Sequence, residues 1–111
     1  MTAQVSQTPT TTAVAPAALT PAASDTIAGQ YFGAAGCLIR VITTGTATDV
    51  AVLDPGTTGI GNAGTVVAQT MPATGVREWL IPLGAVNPAT GNATVTFSGA
   101  RTGVTYELKR V

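Results

Sequence analysis

Histidine is absent from this chain, cysteine occurs once, at Cys37, and charged residues make up only 9% of the sequence. Each shortage removes a class of chemistry. Without histidine the chain lacks the commonest general base and the commonest metal ligand. One thiol allows no intramolecular disulfide and no cysteine-based zinc site. Five basic and five acidic residues give zero net charge, so there is no concentrated basic surface for nucleic acid. No apolar run approaches the roughly 20 residues of a membrane-spanning helix. A length of 111 residues allows one domain, with little core to spare for a buried active site.

What is present divides near residue 25. Residues 1–24 (MTAQVSQTPTTTAVAPAALTPAAS) are mostly threonine and alanine, with no charge, glycine or aromatic ring. Pro9, Pro16 and Pro21 push the residues before them toward extended geometry. No basic stretch followed by an apolar run of a signal peptide is legible, and no helical or alternating period predicts a packed element. Composition fits a linker or tail. An ordered, uncharged segment would instead be held by backbone hydrogen bonds, as in a strand added to a partner's sheet. Fully extended, it spans on the order of 80 Å. The expected organisation is an extended arm over 1–28 and a β-sandwich domain over 29–111.

Beyond the arm, short β-type runs alternate with turn signals. Strands are expected at 37–43 (CLIRVIT), 47–53 (ATDVAVL), 65–71 (TVVAQTM), 77–82 (REWLIP), 92–98 (NATVTFS) and 104–110 (VTYELKR), with a short one at 30–32. Val, Ile, Thr and aromatic residues suit a pleated surface. Ala93, Val95 and Phe97 share one face of their strand, and Val104, Tyr106 and Leu108 share one face of theirs. With 99–103 between them, the two strands read as an antiparallel hairpin, with Thr105, Glu107 and Lys109 facing out. Asp54-Pro55-Gly56-Thr57 carries a type II turn signature, and 87–91 (NPATG) is a second turn. The fold class is all-β: a compact antiparallel β-sandwich or partly open barrel of six or seven short strands.

Four constellations imitate chemistry. Gly59-Ile60-Gly61-Asn62-Ala63-Gly64 spells a dinucleotide fingerprint, but the following TVVAQTMPATG cannot form the helix that would receive the pyrophosphate. Abundant hydroxyls have no histidine beside them, and Lys109 is in the outward phase. Asp25, Asp49, Asp54, Glu78 and Glu107 show no spacing that pairs two carboxylates or builds a calcium loop. Cys37, inside an apolar run, reads as a small buried hydrophobe. No catalytic, cofactor or metal-ligating residue is expected, and no enzyme.

The layout of a Thr/Ala/Pro arm followed by a compact β domain ending in NATVTFSGARTGVTYELKRV resembles the small β-rich decoration, or cement, proteins of bacteriophage capsids. The resemblance implies a structural virion protein on the outer face of a capsid lattice, its arm bridging neighbouring subunits. Its implied partners are the major capsid protein and copies of itself, as trimers in many such proteins, with no small-molecule substrate. A nearly uncharged surface suits that role, because little electrostatic repulsion opposes self-association. The residues expected at partner contacts are Val5, Val14 and Leu19 in the arm and Ile27, Tyr31 and Phe32 where arm meets domain, together with Trp79. Tyr31 and Phe32 serve equally as anchors of the arm. Alternatives are a secreted or cell-surface carbohydrate-binding β-sandwich module with a Thr/Pro linker, using Trp79 and Tyr31 as an aromatic platform, and a phage tail or head–tail connector component.

Overall fold

The computed structural model describes residues 2–8, 18–53 and 68–111. Among them eight strands form two sheets: β1 (Thr2–Gln4), β2 (Ser24–Ala28), β3 (Cys37–Thr44), β4 (Thr48–Val52), β5 (Ala68–Met71), β6 (Thr74–Ile81), β7 (Asn92–Ser98) and β8 (Val104–Arg110). One sheet has five strands in the order β1-β2-β7-β4-β5; the other has three, β6-β3-β8. All pairings are antiparallel except β1 with β2. The sheets do not close into a barrel, and the sandwich of the two alternatives is the one formed.

Alternation decides which side chains meet between the sheets. In β3, residues 37, 39, 41 and 43 are buried while 38, 40 and 42 are half-exposed. Ile27, Val50, Val95 and Phe97 from the larger sheet meet Ile39, Val41, Tyr106 and Leu108 from the smaller, all at 2% exposure or less. The Phe97 and Tyr106 rings lie 5.0 Å apart across this layer, tilted by 42°, a geometry that aromatic pairs favour.

Three expectations are corrected. β7 and β8 do not form a hairpin: β7 lies between β2 and β4, β8 pairs with β3, and 99–103 carries the chain from one sheet to the other. Period-2 alternation tells which face of a strand is buried and is the same whether two such strands pair or face each other. The strand expected at 30–32 is a single 3-10 turn, Gly29–Tyr31, closed by Phe32 N–H donating to the Gly29 carbonyl. The arm boundary at 28 also fails. β2 is an interior strand of the larger sheet, with Asp25 and Ile27 fully buried.

The turn expected at 87–91 is present, with the Asn87 side-chain oxygen accepting from Ala89 N–H and Gly91 at φ 74°. At Gly36, φ is 121° and an added Cβ would strike the Ile81 carbonyl oxygen, so the chain's entry into β3 requires glycine. The Asp54 turn, the glycine fingerprint at 59–64, residues 65–67 of the expected third strand and Val14 lie outside the described residues.

Candidate partner-binding surfaces and the N-terminal segment

The N-terminal residues fold back onto their own domain instead of reaching away from it. β1 adds a parallel edge strand beside β2, in the register Thr2–Asp25, Ala3–Thr26 and Gln4–Ile27. The chain then crosses to the other sheet. Gln7 N–H donates to the Leu108 carbonyl at 2.8 Å, and Arg110 N–H donates to the Gln7 carbonyl at 2.8 Å. Leu19 and Tyr106 exchange a second pair of backbone bonds, at 2.7 and 3.1 Å. The segment therefore caps the β8 edge of one sheet and the β2 edge of the other. Exposed strand edges invite pairing with other chains, and here this chain's own N-terminus occupies them.

Beneath the segment sits a buried polar cluster. Asp25 is fully buried in β2. Its Oδ2 accepts from Tyr106 Oη at 2.6 Å, from Gln4 Nε2 at 3.3 Å and from Ala22 N–H at 3.3 Å, while Oδ1 has no hydrogen-bond partner. Burial, the Asp25 hydrogen bond and the Asp25 charge together push the Tyr106 phenol far above its usual range, so Tyr106 stays a neutral donor. The cluster ties β1, β2 and β8 together through one carboxylate. By spacing alone, Asp25 is one of several unpaired carboxylates. Its signal was phase: Asp25 shares the inward face of SDTIA with Ile27.

The expected contact residues separate into distinct groups. Ile27 and Phe32, at 0% and 4% exposure, belong to the core and offer no surface to a partner. Their apolar side chains sit in the buried phase of their own fold. Leu19 is half-buried on the β8 edge, and Val5, just past β1, is exposed. Tyr31 packs against the core, and its carbonyl accepts from Ser6 Oγ at 2.7 Å, fastening the segment to the turn. Trp79 lies on the inner face of β6 opposite Ile39, half-buried against the core. Neither ring stands out as a platform. Cys37 is a fully buried thiol, its pKa pushed up by burial to about 11.

The outer faces of the two sheets differ in kind. On the larger sheet, Ser24, Thr26, Thr94, Thr96 and Ala51 form a surface of short uncharged side chains, with Asp49 at its margin as the one charged residue among the described residues of that face. On the smaller sheet, a charged row Glu78–Arg40–Glu107 crosses between Leu38–Leu80 and Ile42–Val76. Glu107, expected to face solvent, is on the outer face but buried at 7% exposure. Arg40 Nη1 lies 3.7 Å from its Oε1 with a half-exposed side chain, beyond hydrogen-bond distance, so this buried oxygen has no hydrogen-bond partner.

Among the described residues no three His, Cys, Asp or Glu side chains cluster as a metal site would require. A groove of about 500 Å³ lined by Thr8, Gly33, Ala34, Arg110 and Val111 is open and shallow. Comparison with family models, curated proteins and solved structures returns no match.

Proposed function

We propose that this chain is a structural protein of a bacteriophage virion, binding the outer surface of the capsid lattice and reinforcing it, with the major capsid protein and further copies of itself as partners. The observation that carries this reading is the outer face of the five-stranded sheet. Ser, Thr and Ala side chains lose little rotamer freedom when immobilised, and association that orders few flexible side chains has less entropy to overcome. A face whose one charge, Asp49, lies at its margin also meets a neighbouring subunit without stranding an unpaired ion at its centre. The resemblance in layout to capsid decoration proteins supports the same reading.

The test is a density-gradient fractionation of the native source, with the chain located by mass spectrometry. Migration with a megadalton particle in many copies is the expected result. Migration near 11 kDa, the mass of the free chain, overturns it. In reconstitution with particles, Thr94→Arg and Thr96→Lys on the outer face should lower co-sedimentation while leaving the circular dichroism spectrum unchanged.

A further inference from the structure

We infer that residues 2–8 are an exchangeable strand: in the assembled state they leave their own domain and pair, in the same register, with the β2 and β8 edges of a second copy. This deepens the structural reading above, and rests on it, by naming the occupant of those edges.

The attachment of this segment differs from the central pairings of the sandwich. β1 holds three residue pairs with β2, and Gln7 adds two backbone bonds to β8. Of its side chains Gln4 is buried, whereas Ala3, Val5 and Thr8 are exposed, Val5 at 54%. A strand held by backbone bonds with little apolar burial belongs to the low-stability end of a fold and opens locally. Opening leaves the Leu108 and Arg110 backbone groups without their Gln7 partners and takes the Gln4 amide away from Asp25 Oδ2. A buried carboxylate deprived of a donor is costly. Whatever replaces the segment must restore three things at once: strand backbone along both edges, an amide donor at the position of Gln4 and a hydroxyl donor for the Tyr31 carbonyl. A second copy of residues 2–8 supplies all three without alteration.

The connection permits it. Residues 9–17 join Thr8 to Ala18, and a chain of this length extends to about 30 Å. Because an exchanged segment makes the contacts it made at home, the balance between the two states is set by local concentration. Copies arrayed on a lattice supply that concentration.

Ala3 and Thr26 are register partners with side chains on the outer face, which gives a direct test on the purified chain with no capsid present. Single variants Ala3→Cys and Thr26→Cys, the second carrying a C-terminal tag, are mixed at high concentration with oxidised glutathione. Cys37, buried and protonated, does not compete. The expected product is a tagged disulfide heterodimer, several-fold above that from Ala3→Cys mixed with Ser98→Cys. Adding Gln4→Glu to the Ala3→Cys chain should reduce it to the control level, because a second carboxylate would then face Asp25. The double variant within one chain should close on itself when dilute. If the mixture gives no more heterodimer than the Ser98 control while the double variant closes internally, exchange is overturned. Capsid binding is read separately by co-sedimentation, so absent exchange with intact co-sedimentation removes only this inference.

Discussion

β3 and the N-terminal segment are both uncharged or nearly so, both extended, and both bonded through their backbones to neighbouring strands, yet they are held by different forces. β3 lies in the middle of its sheet, paired along eight residues with β6 and seven with β8, and its inward side chains Cys37, Ile39 and Val41 are fully buried. Residues 2–8 touch two sheet edges and bury chiefly Gln4. Backbone hydrogen bonds exchange one set of partners for another and contribute only about 0.5–1.5 kcal/mol net each, whereas a fully buried aliphatic side chain contributes about 1.5–3 kcal/mol. The first region defines the fold; the second closes it and can be given up.

The largest separation between the two should come from truncating a core ring. Phe97→Ala removes the ring that meets Tyr106 between the sheets and should lower stability in urea unfolding by about 3–5 kcal/mol. Val5→Ala, at an exposed position of the segment, should change it by less than about 0.5 kcal/mol. Comparable losses from the two substitutions would mean that Val5 is buried in solution and that the contrast is false.

Next comes the link between the regions. Tyr106→Phe leaves the ring packing but removes the 2.6 Å bond to Asp25. A bond to a buried carboxylate should be worth about 1.5–3 kcal/mol, read as a fall in the denaturation midpoint with an unchanged slope. Gln4→Ala removes two longer 3.3 Å bonds, to Asp25 and to the Thr20 carbonyl, and should have the smaller effect of the two. A Gln4→Ala loss exceeding that of Tyr106→Phe would place more of the fold's stability in the segment than its burial allows.

Deleting residues 1–8 should leave a folded sandwich, lower in stability by about 2–4 kcal/mol and so by more than Gln4→Ala, since it removes the Gln4 donor to Asp25 and the Ser6 bond together with the edge backbone bonds, and no apolar core side chain. Deletion through residue 24 is a different experiment, because it cuts into β2 and strips the flank of Asp25. In hydrogen exchange of the full chain, the Arg110 amide, which donates to Gln7, should exchange far faster than the amides of Ile39 and Val41. Equal protection would show that the segment opens only with the whole domain.

Much of this fold was legible because strand periodicity is local. The runs at 92–98 and 104–110 appear with the boundaries their alternation implies, and the run at 37–43 gains one residue at its end. What periodicity does not carry is partnership. NATVTFS and VTYELKR look like two arms of a hairpin and instead face each other across the core, since each presents one apolar face and neither encodes its neighbour. The segment TAQVSQT was illegible for a further reason: a strand held by its backbone leaves no side-chain signature, and only Gln4 and Asp25 give it away once their proximity is known. Among the expected contact residues, Ile27 and Phe32 were apolar for the sake of the core, and nothing in a single sequence separates that cause from an interface.

The smallest effect sharpens the comparison by titrating one region alone. Residues 2–8 carry no titratable side chain, whereas β3 begins with Cys37. Burial raises that thiol from 9.0 to about 11. In the unfolded chain the thiol loses its proton near pH 9, while the folded chain keeps it to about pH 11. Between those values the unfolded state binds fewer protons, so stability falls as pH rises. By pH 10 the loss should be about 1 kcal/mol. Cys37→Ala should flatten this part of the stability profile, leaving only the contribution of Tyr106, which has the same sign and sets in as the unfolded phenol ionises near pH 10. Disulfide capture of the N-terminal segment through Ala3→Cys and Thr26→Cys, quenched and read at pH 7 after equilibration at pH 9.5, should then report the same exchanged fraction as equilibration at pH 7. A fraction that rises with pH would mean that the segment opens through the core, and that β3 and the N-terminus form one cooperative unit after all.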